Sequence, residues 1–334
     1  MHPYDQEYKR ITLRIGFAVL LMFVLLQGLM TALGVCQVFL SAMMTETAAD
    51  VLYWGTYCVF YLLSFMLPVP FFALIARKAG AQPIFWELRL PKHFWLVSAA
   101  AVGMITAAGQ INSLLLAPFS GDSAGTDMLL DLMGRGNGHM VVLIFVMLVI
   151  VPPFCEELLF RGVVLGNLLP YGKGVAIVGS ALLFAAMHQS FSQFLYTAVA
   201  GVLLGVIYAQ SRSIWPSTLI HMINNMISFV QMLIFARVQD QMLANRIVLC
   251  MNMLIMLVGI IAMLVLIALE KKKKQETREV RGLFGMTPDR AFFEKPRVLS
   301  PGMAVKGFLS PSIVLFVLLS LGMAVFNLIV EAML

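Results

Sequence analysis

Two adjacent glutamates and an arginine interrupt the apolar run PPFCEELLFRGVV at residues 152–164. A charge at the centre of a bilayer costs at least about 2.5–3.5 kcal/mol, so each of them needs a reason. Glu157 and Arg161 are four residues apart with the acid first. That spacing puts them on one helix face in the better order for an ion pair. Glu156 is turned about 100° from that face and has no partner in its own segment. Helix–helix glue explains Glu157 and Arg161 but leaves Glu156 unexplained. Two histidines also stand in apolar surroundings. His188 closes the string FAAMH, with Phe184 one turn before it, and His221 opens HMINN, with Asn225 one turn after it. His2, His93 and His139 lie in polar flanks or at a loop-to-span junction and carry no such signal. Glu156, His188, His221 and Asn225 make a set suited to water activation. A carboxylate and an imidazole can share the removal of a proton from water. A second imidazole and a carboxamide can donate hydrogen bonds to a developing oxyanion.

The elements that must position this set are read from composition. The chain is 60% hydrophobic and only 12% charged, with a mean hydropathy of +0.91. A soluble domain carries about 25% charged residues, so this chain is read as integral to a membrane. A span needs about 20 largely apolar residues. Such runs occur at 11–44, 51–76, 94–118, 140–169, 191–210, 214–236, 247–269 and 313–334, with a marginal one at 175–188. With no water in the hydrocarbon to satisfy the backbone, spans are helices or closed barrels, and these runs are too long and too continuously apolar for barrel strands. The expected fold class is an all-α polytopic membrane protein, a bundle of about eight or nine transmembrane helices. N-terminal helices occupy 1–138, a catalytic helical core 139–236, and C-terminal helices 237–334, the last with a basic segment at 270–308. No internal repeat or separate soluble domain is evident. The four candidate residues fall on three spans.

Charge placement orients the bundle. Cytoplasmic loops collect Lys and Arg. Nine spans threaded from a cytoplasmic N-terminus put Lys9, Arg10, Arg14, Arg77, Lys78, Arg89, Lys92, Lys173, Arg212 and the cluster from Lys271 to Lys306 inside. Only Arg135, Arg237 and Arg246 fall outside, among acids such as Asp127, Asp131 and Asp240. The net charge of +6 follows from this bias and makes no case for nucleic acid as a partner. The KKKK run at 271–274 reads as a stop-transfer anchor beside anionic headgroups. Leu283, Phe284, Phe292 and Phe293 could lay the basic segment on the membrane surface. No cleavable signal peptide is evident, and the first run reads as a retained anchor. Cys36, Cys58, Cys155 and Cys250 form no C-x-x-C pair, so neither a disulfide framework nor a zinc ribbon is suggested.

The motifs carry a family resemblance. EELLFR (156–161) resembles the E-E-x-x-x-R motif, FAAMH (184–188) the F-x-x-x-H motif and HMINN (221–225) the H-x-x-x-N motif of the CPBP intramembrane proteases. That family is also known as the CAAX-protease and bacteriocin-processing, or Abi, family. Each motif alone is weak; all three, in the family's order and within apolar segments, are specific. The resemblance covers roughly 140–236. It implies a glutamate-dependent endopeptidase of a bacterial cell membrane, acting on a membrane-associated peptide or protein with no cofactor. Glu156 would be the general base with His188, His221 and Asn225 the oxyanion hole, and Glu157, Arg161 and Phe184 supporting residues. The cavity is expected to open towards the cytoplasm.

Four alternatives stay open. Glu156, His188 and His221 could bind zinc, since three N/O ligands plus water is a catalytic pattern. Cys155 could serve as a thiol nucleophile if activated. The polar cavity could belong to a non-catalytic scaffold or immunity-type binding protein. A proton-coupled transporter is the fourth, disfavoured by the absence of repeats and paired broken helices.

Overall fold

The computed structural model describes residues 4–77, 81–116, 124–134, 138–276 and 297–333. Among the described residues every regular element is helical and no strand occurs. In chain order they are α1 (Asp5–Met43), α2 (Glu46–Met66), α3 (Pro68–Ala76), α4 (Phe94–Leu116), α5 (Ala124–Gly134), α6 (Gly138–Tyr171), α7 (Lys173–Met187), α8 (Phe191–Ser211), α9 (Ile214–Arg237), α10 (Gln241–Glu276), α11 (Met303–Phe308) and α12 (Pro311–Met333). Helices α2 and α3 join into one apolar stretch, Ala48–Ala76. Eight segments are long and apolar enough to cross a membrane, the expected all-α polytopic architecture. The marginal run at 175–188 is the 15-residue helix α7. At about 1.5 Å per residue it is shorter than the hydrocarbon is thick.

Small residues set the closest helix approaches, as in membrane bundles where backbone contact replaces the hydrophobic drive. Helix α7 lies antiparallel against α8. Gly201 faces Ala181 so closely that an added Cβ would stand 2.9 Å from the Ala181 Cα. Helices α4 and α10 cross at Gly103 and Gly259, where a Cβ on Gly103 would fall 2.6 Å from the Gly259 Cα. The α7–α8 turn is held from outside. Its residue Gln189 has φ 51°, a left-handed conformation uncommon for a non-glycine residue. The Gln27 side chain of α1 donates to Gln189 Oε1 at 2.8 Å, and Asn327 of α12 donates to the Gln189 carbonyl at 3.2 Å.

The connections gather at one end. Glu7 pairs with Arg297 and accepts from the Tyr171 hydroxyl at 2.8 Å. The Asp5 carboxylate accepts from the backbone N–H of Ser300 at 3.0 Å, and the Arg297 N–H reaches the Pro170 carbonyl at 2.8 Å. Asn167 accepts from the Gln82 N–H at 2.7 Å, and Ser213 donates to the Glu87 carbonyl at 2.5 Å. These bonds bring together the start of α1, the 81–93 connection, the α6–α7 and α8–α9 turns and the 297–302 segment. Lys9, Arg10, Arg89, Lys92, Lys173, Arg212, Arg297 and Lys306 therefore share one end, hereafter the basic end. Arg237 and Arg246 lie at the other, with Asp131 and Asp240. The residues at 283, 284, 292 and 293 fall outside the described residues.

Candidate active site

Glu156 sits midway along α6, in a helix whose hydrogen-bond register is broken. Wide π-helical turns at Val146–Ile150 and Leu158–Leu165 flank the α-helical stretch Val151–Glu157. Such turns recur at functional sites. Pro152 and Pro153 supply a cause for the first, because proline has no N–H to give to a preceding carbonyl. The Leu148 carbonyl meets proline both four and five residues on, so its own helix offers it no donor. Asn225 of α9 fills that vacancy, donating through Nδ2 at 2.9 Å. The HMINN motif is thereby tied to α6, the helix that carries the glutamates.

Glu156 is 5% exposed and finds partners from two other helices. The Tyr61 hydroxyl of α2 donates to Glu156 Oε1 at 2.5 Å. On the other side His221 Nε2 stands 3.8 Å from Oε2, an electrostatic contact longer than a hydrogen bond. Oε2 has no hydrogen-bond partner among the described residues. One oxygen is thus held and the other is left without a hydrogen bond.

Glu157 is fully buried and compensated. Arg161 Nη1 lies 3.0 Å from Glu157 Oε1, the i,i+4 pair expected from the spacing. His221 Nδ1 reaches the same oxygen at 3.2 Å. A carboxylate only accepts, so this contact puts a proton on Nδ1 and directs Nε2 towards Glu156. Arg161 is also fully buried; its guanidinium lies 4.6 Å from the centroid of the Phe184 ring and reaches the Gly201 carbonyl at 3.4 Å. The buried pair leaves Glu156 as the one uncompensated carboxylate of the cluster.

Phe184 is the hub of the imidazoles. Its ring centroid is 4.9 Å from that of His188 and 5.9 Å from that of His221. His188 caps the C-terminus of α7 instead of lying within a long span, and its Nδ1 meets the Phe184 carbonyl at 2.9 Å. A carbonyl only accepts, so Nδ1 carries the proton and Nε2 is left as an acceptor.

The cavity in front of these groups has a volume of about 420 Å³ and is lined by Glu156, Phe184, His188, His221 and Asn225 together, along with Tyr61. Glu157 and Arg161 lie behind it. Cys155 is fully buried in the apolar core and does not line it. Among the described residues no three His, Cys, Asp or Glu side chains are arranged to hold a metal ion. The cavity's further lining, from Met147, Gln193, Tyr196 and Met232, lies on the halves of their helices remote from the basic end. On the basic side, Phe160, Arg161, Leu165 and Tyr208 pack shut. The expectation of an opening on the side of the basic residues is corrected: the cavity runs the other way, because the ion pair and its aromatic collar fill the basic half of the bundle.

Sequence reasoning did not find Tyr61, Gln193, Tyr196 or Asn224. Tyr61 left a signal, since Tyr53, Tyr57, Tyr61 and Phe65 recur every four residues along one face of an apolar span. Tyr57 and Tyr61 stack at 6.2 Å, and Tyr61 and Phe65 at 4.7 Å.

This is the architecture of an all-helical integral membrane protein with a buried acid–imidazole centre. Residues 138–227 match the family model described as type II CAAX prenyl endopeptidase, Rce1-like, a likeness to the CAAX proteases over that segment. The match takes in Glu156, Glu157, Arg161, Phe184, His188, His221 and Asn225 and leaves Tyr61 outside. No curated protein and no solved structure matches the chain. The family is one of peptidases, and the match supports intramembrane protease activity in general terms.

Proposed function

We propose that the protein is an intramembrane endopeptidase that hydrolyses a peptide bond of a membrane-associated peptide or protein, with Glu156 as the base that activates water. The observation that carries this reading is the setting of Glu156: Tyr61 holds one carboxylate oxygen, the other has no hydrogen-bond partner among the described residues, and the residue lines a cavity shared with His188, His221 and Asn225. A water between Glu156 and the acceptor nitrogen of His188 would lose its proton as its oxygen bonds to the substrate carbonyl carbon. The second N–H of Asn225 would stabilise the oxyanion, joined by His221 Nε2 when the imidazole held by Glu157 carries a proton on both nitrogens. The proton then passes to the leaving nitrogen as the C–N bond breaks. The chemistry uses side chains alone. The N-terminus and the basic end lie on the cytoplasmic side of a bacterial cell membrane in this reading, following the charge bias.

The test compares membrane peptidomes of cells holding the wild type with those holding Glu156→Gln. Fragments present only with the wild type are expected. Identical peptidomes, with the biological effect retained by the variant, would favour a non-catalytic binding protein instead.

A further inference from the structure

A second pocket of about 210 Å³ continues from the first towards the end remote from the basic residues. The two share Ile105, Tyr196, Asn224 and Ser228 in their walls. Its lining is amide-rich and uncharged, with Gln110, Asn112, Gln231 and Asn252 from α4, α9 and α10. Asn112 is 3% exposed. Its Nδ2 donates to the Ser192 carbonyl, while its Oδ1, also buried, has no hydrogen-bond partner among the described residues. Gln231 and Asn252 are fixed against each other at 2.8 Å.

We infer that this pocket is a substrate subsite that holds an extended, uncharged stretch of peptide entering from the end of the bundle opposite the basic one. The inference rests on the proteolytic reading and adds the direction of entry and the class of substrate segment. A peptide must leave its helix for its scissile bond to reach Glu156, and at membrane depth each freed N–H and C=O then lacks water. Carboxamides both donate and accept, so a wall of them matches peptide amides in either sense. The buried Oδ1 of Asn112 lacks a partner among the described residues, and a substrate N–H would satisfy it once the side chain turns into the pocket. With no charge in the wall among the described residues, a charged substrate side chain would go unpaired there, which selects for neutral segments. With the basic end cytoplasmic, the segment comes from the extracytoplasmic face.

The full-length protein tests this without turnover. In a Glu156→Gln background with its four native cysteines replaced, Ser113→Cys at the pocket rim and Lys92→Cys at the basic end are exposed to a membrane-impermeant maleimide in sealed vesicles of both orientations. Ser113→Cys should react from the face opposite to Lys92→Cys. A library of uncharged decapeptides should slow that reaction several-fold, and a library of polyanionic ones should not. Reaction of both cysteines from the same face would overturn the entry route. A rate indifferent to the neutral peptides would overturn the subsite and leave the amides as glue between helices. Loss of cleavage in the catalytic variant bears on the proteolytic reading alone, whereas this labelling reads the pocket whether or not any peptide is cut.

Discussion

At the scale of single residues, the centre depends on a division of labour between two adjacent carboxylates. Glu157 is paired with Arg161 and meets His221 through the same oxygen, Oε1. Glu156 keeps one oxygen free. Tyr61 decides which oxygen that is, and a hydrogen bond to a charged group contributes about 1.5–3 kcal/mol. Tyr61→Phe should therefore lower kcat by roughly 10–100-fold with little change in KM, as measured with a fluorogenic peptide on reconstituted protein. An unchanged kcat would remove Tyr61 from the mechanism. Asn225 has two duties that can be separated. Asn225→Ala strands the Leu148 carbonyl, so stability should fall by about 1–3 kcal/mol along with turnover. Pro152→Ala restores a helical N–H to that carbonyl. The double variant should recover its unfolding midpoint but not its activity; recovery of both would reduce Asn225 to a structural tie. Glu156, His188, His221 and Asn225 were legible in the sequence because polar groups in apolar runs stand out. Tyr61 was not, because a tyrosine in a span reads as an aromatic filler until its neighbour across the helix interface is known.

At the scale of elements, the site is assembled by one broken helix and one tight pair. The prolines of α6 displace its register and create the demand that α9 meets. Helix α7 carries both Phe184 and His188 to the cavity, and its separation from α8 is set by Gly201 against the Ala181 backbone. Overpacking of this kind costs about 1–3 kcal/mol. Gly201→Val should therefore lower the thermal midpoint and depress kcat further than stability alone explains, since it moves the helix that ends at His188 and displaces the carbonyl that Arg161 reaches. Equal turnover per folded molecule would show that α7 tolerates the shift. The helical character of these segments was readable from apolar length. The end of α7 at His188 was readable too, from the apolar run at 175–188. The π-helical turns and the left-handed Gln189 were not, because hydrogen-bond register and the support of Gln189 by α1 and α12 come from tertiary neighbours.

At the scale of the whole molecule, the two ends have different tasks. The basic end is a clasp of Asp5, Glu7, Tyr171, Arg297 and Ser300 that ties the start of α1 to the segment before α11. The partly exposed Glu7–Arg297 pair is worth about 1 kcal/mol or less. Arg297→Ala should lower the thermal midpoint slightly and leave turnover intact; a large loss of turnover would tie the clasp to catalysis. The far half holds the cavity. Charge bias in the loops was enough to separate the two ends. It could not show that the buried ion pair closes the basic half, because which side of a polar cluster stays open is decided by aromatic packing around Arg161. The central claim is that Glu156 activates the attacking water within the membrane. Its most direct measurement is peptide cleavage by purified protein in proteoliposomes, wild type against Glu156→Gln, with thermal unfolding followed in parallel. A loss of about 100- to 10,000-fold in turnover, with the unfolding midpoint preserved, is predicted. Cleavage at the wild-type rate by a folded Glu156→Gln protein would contradict it.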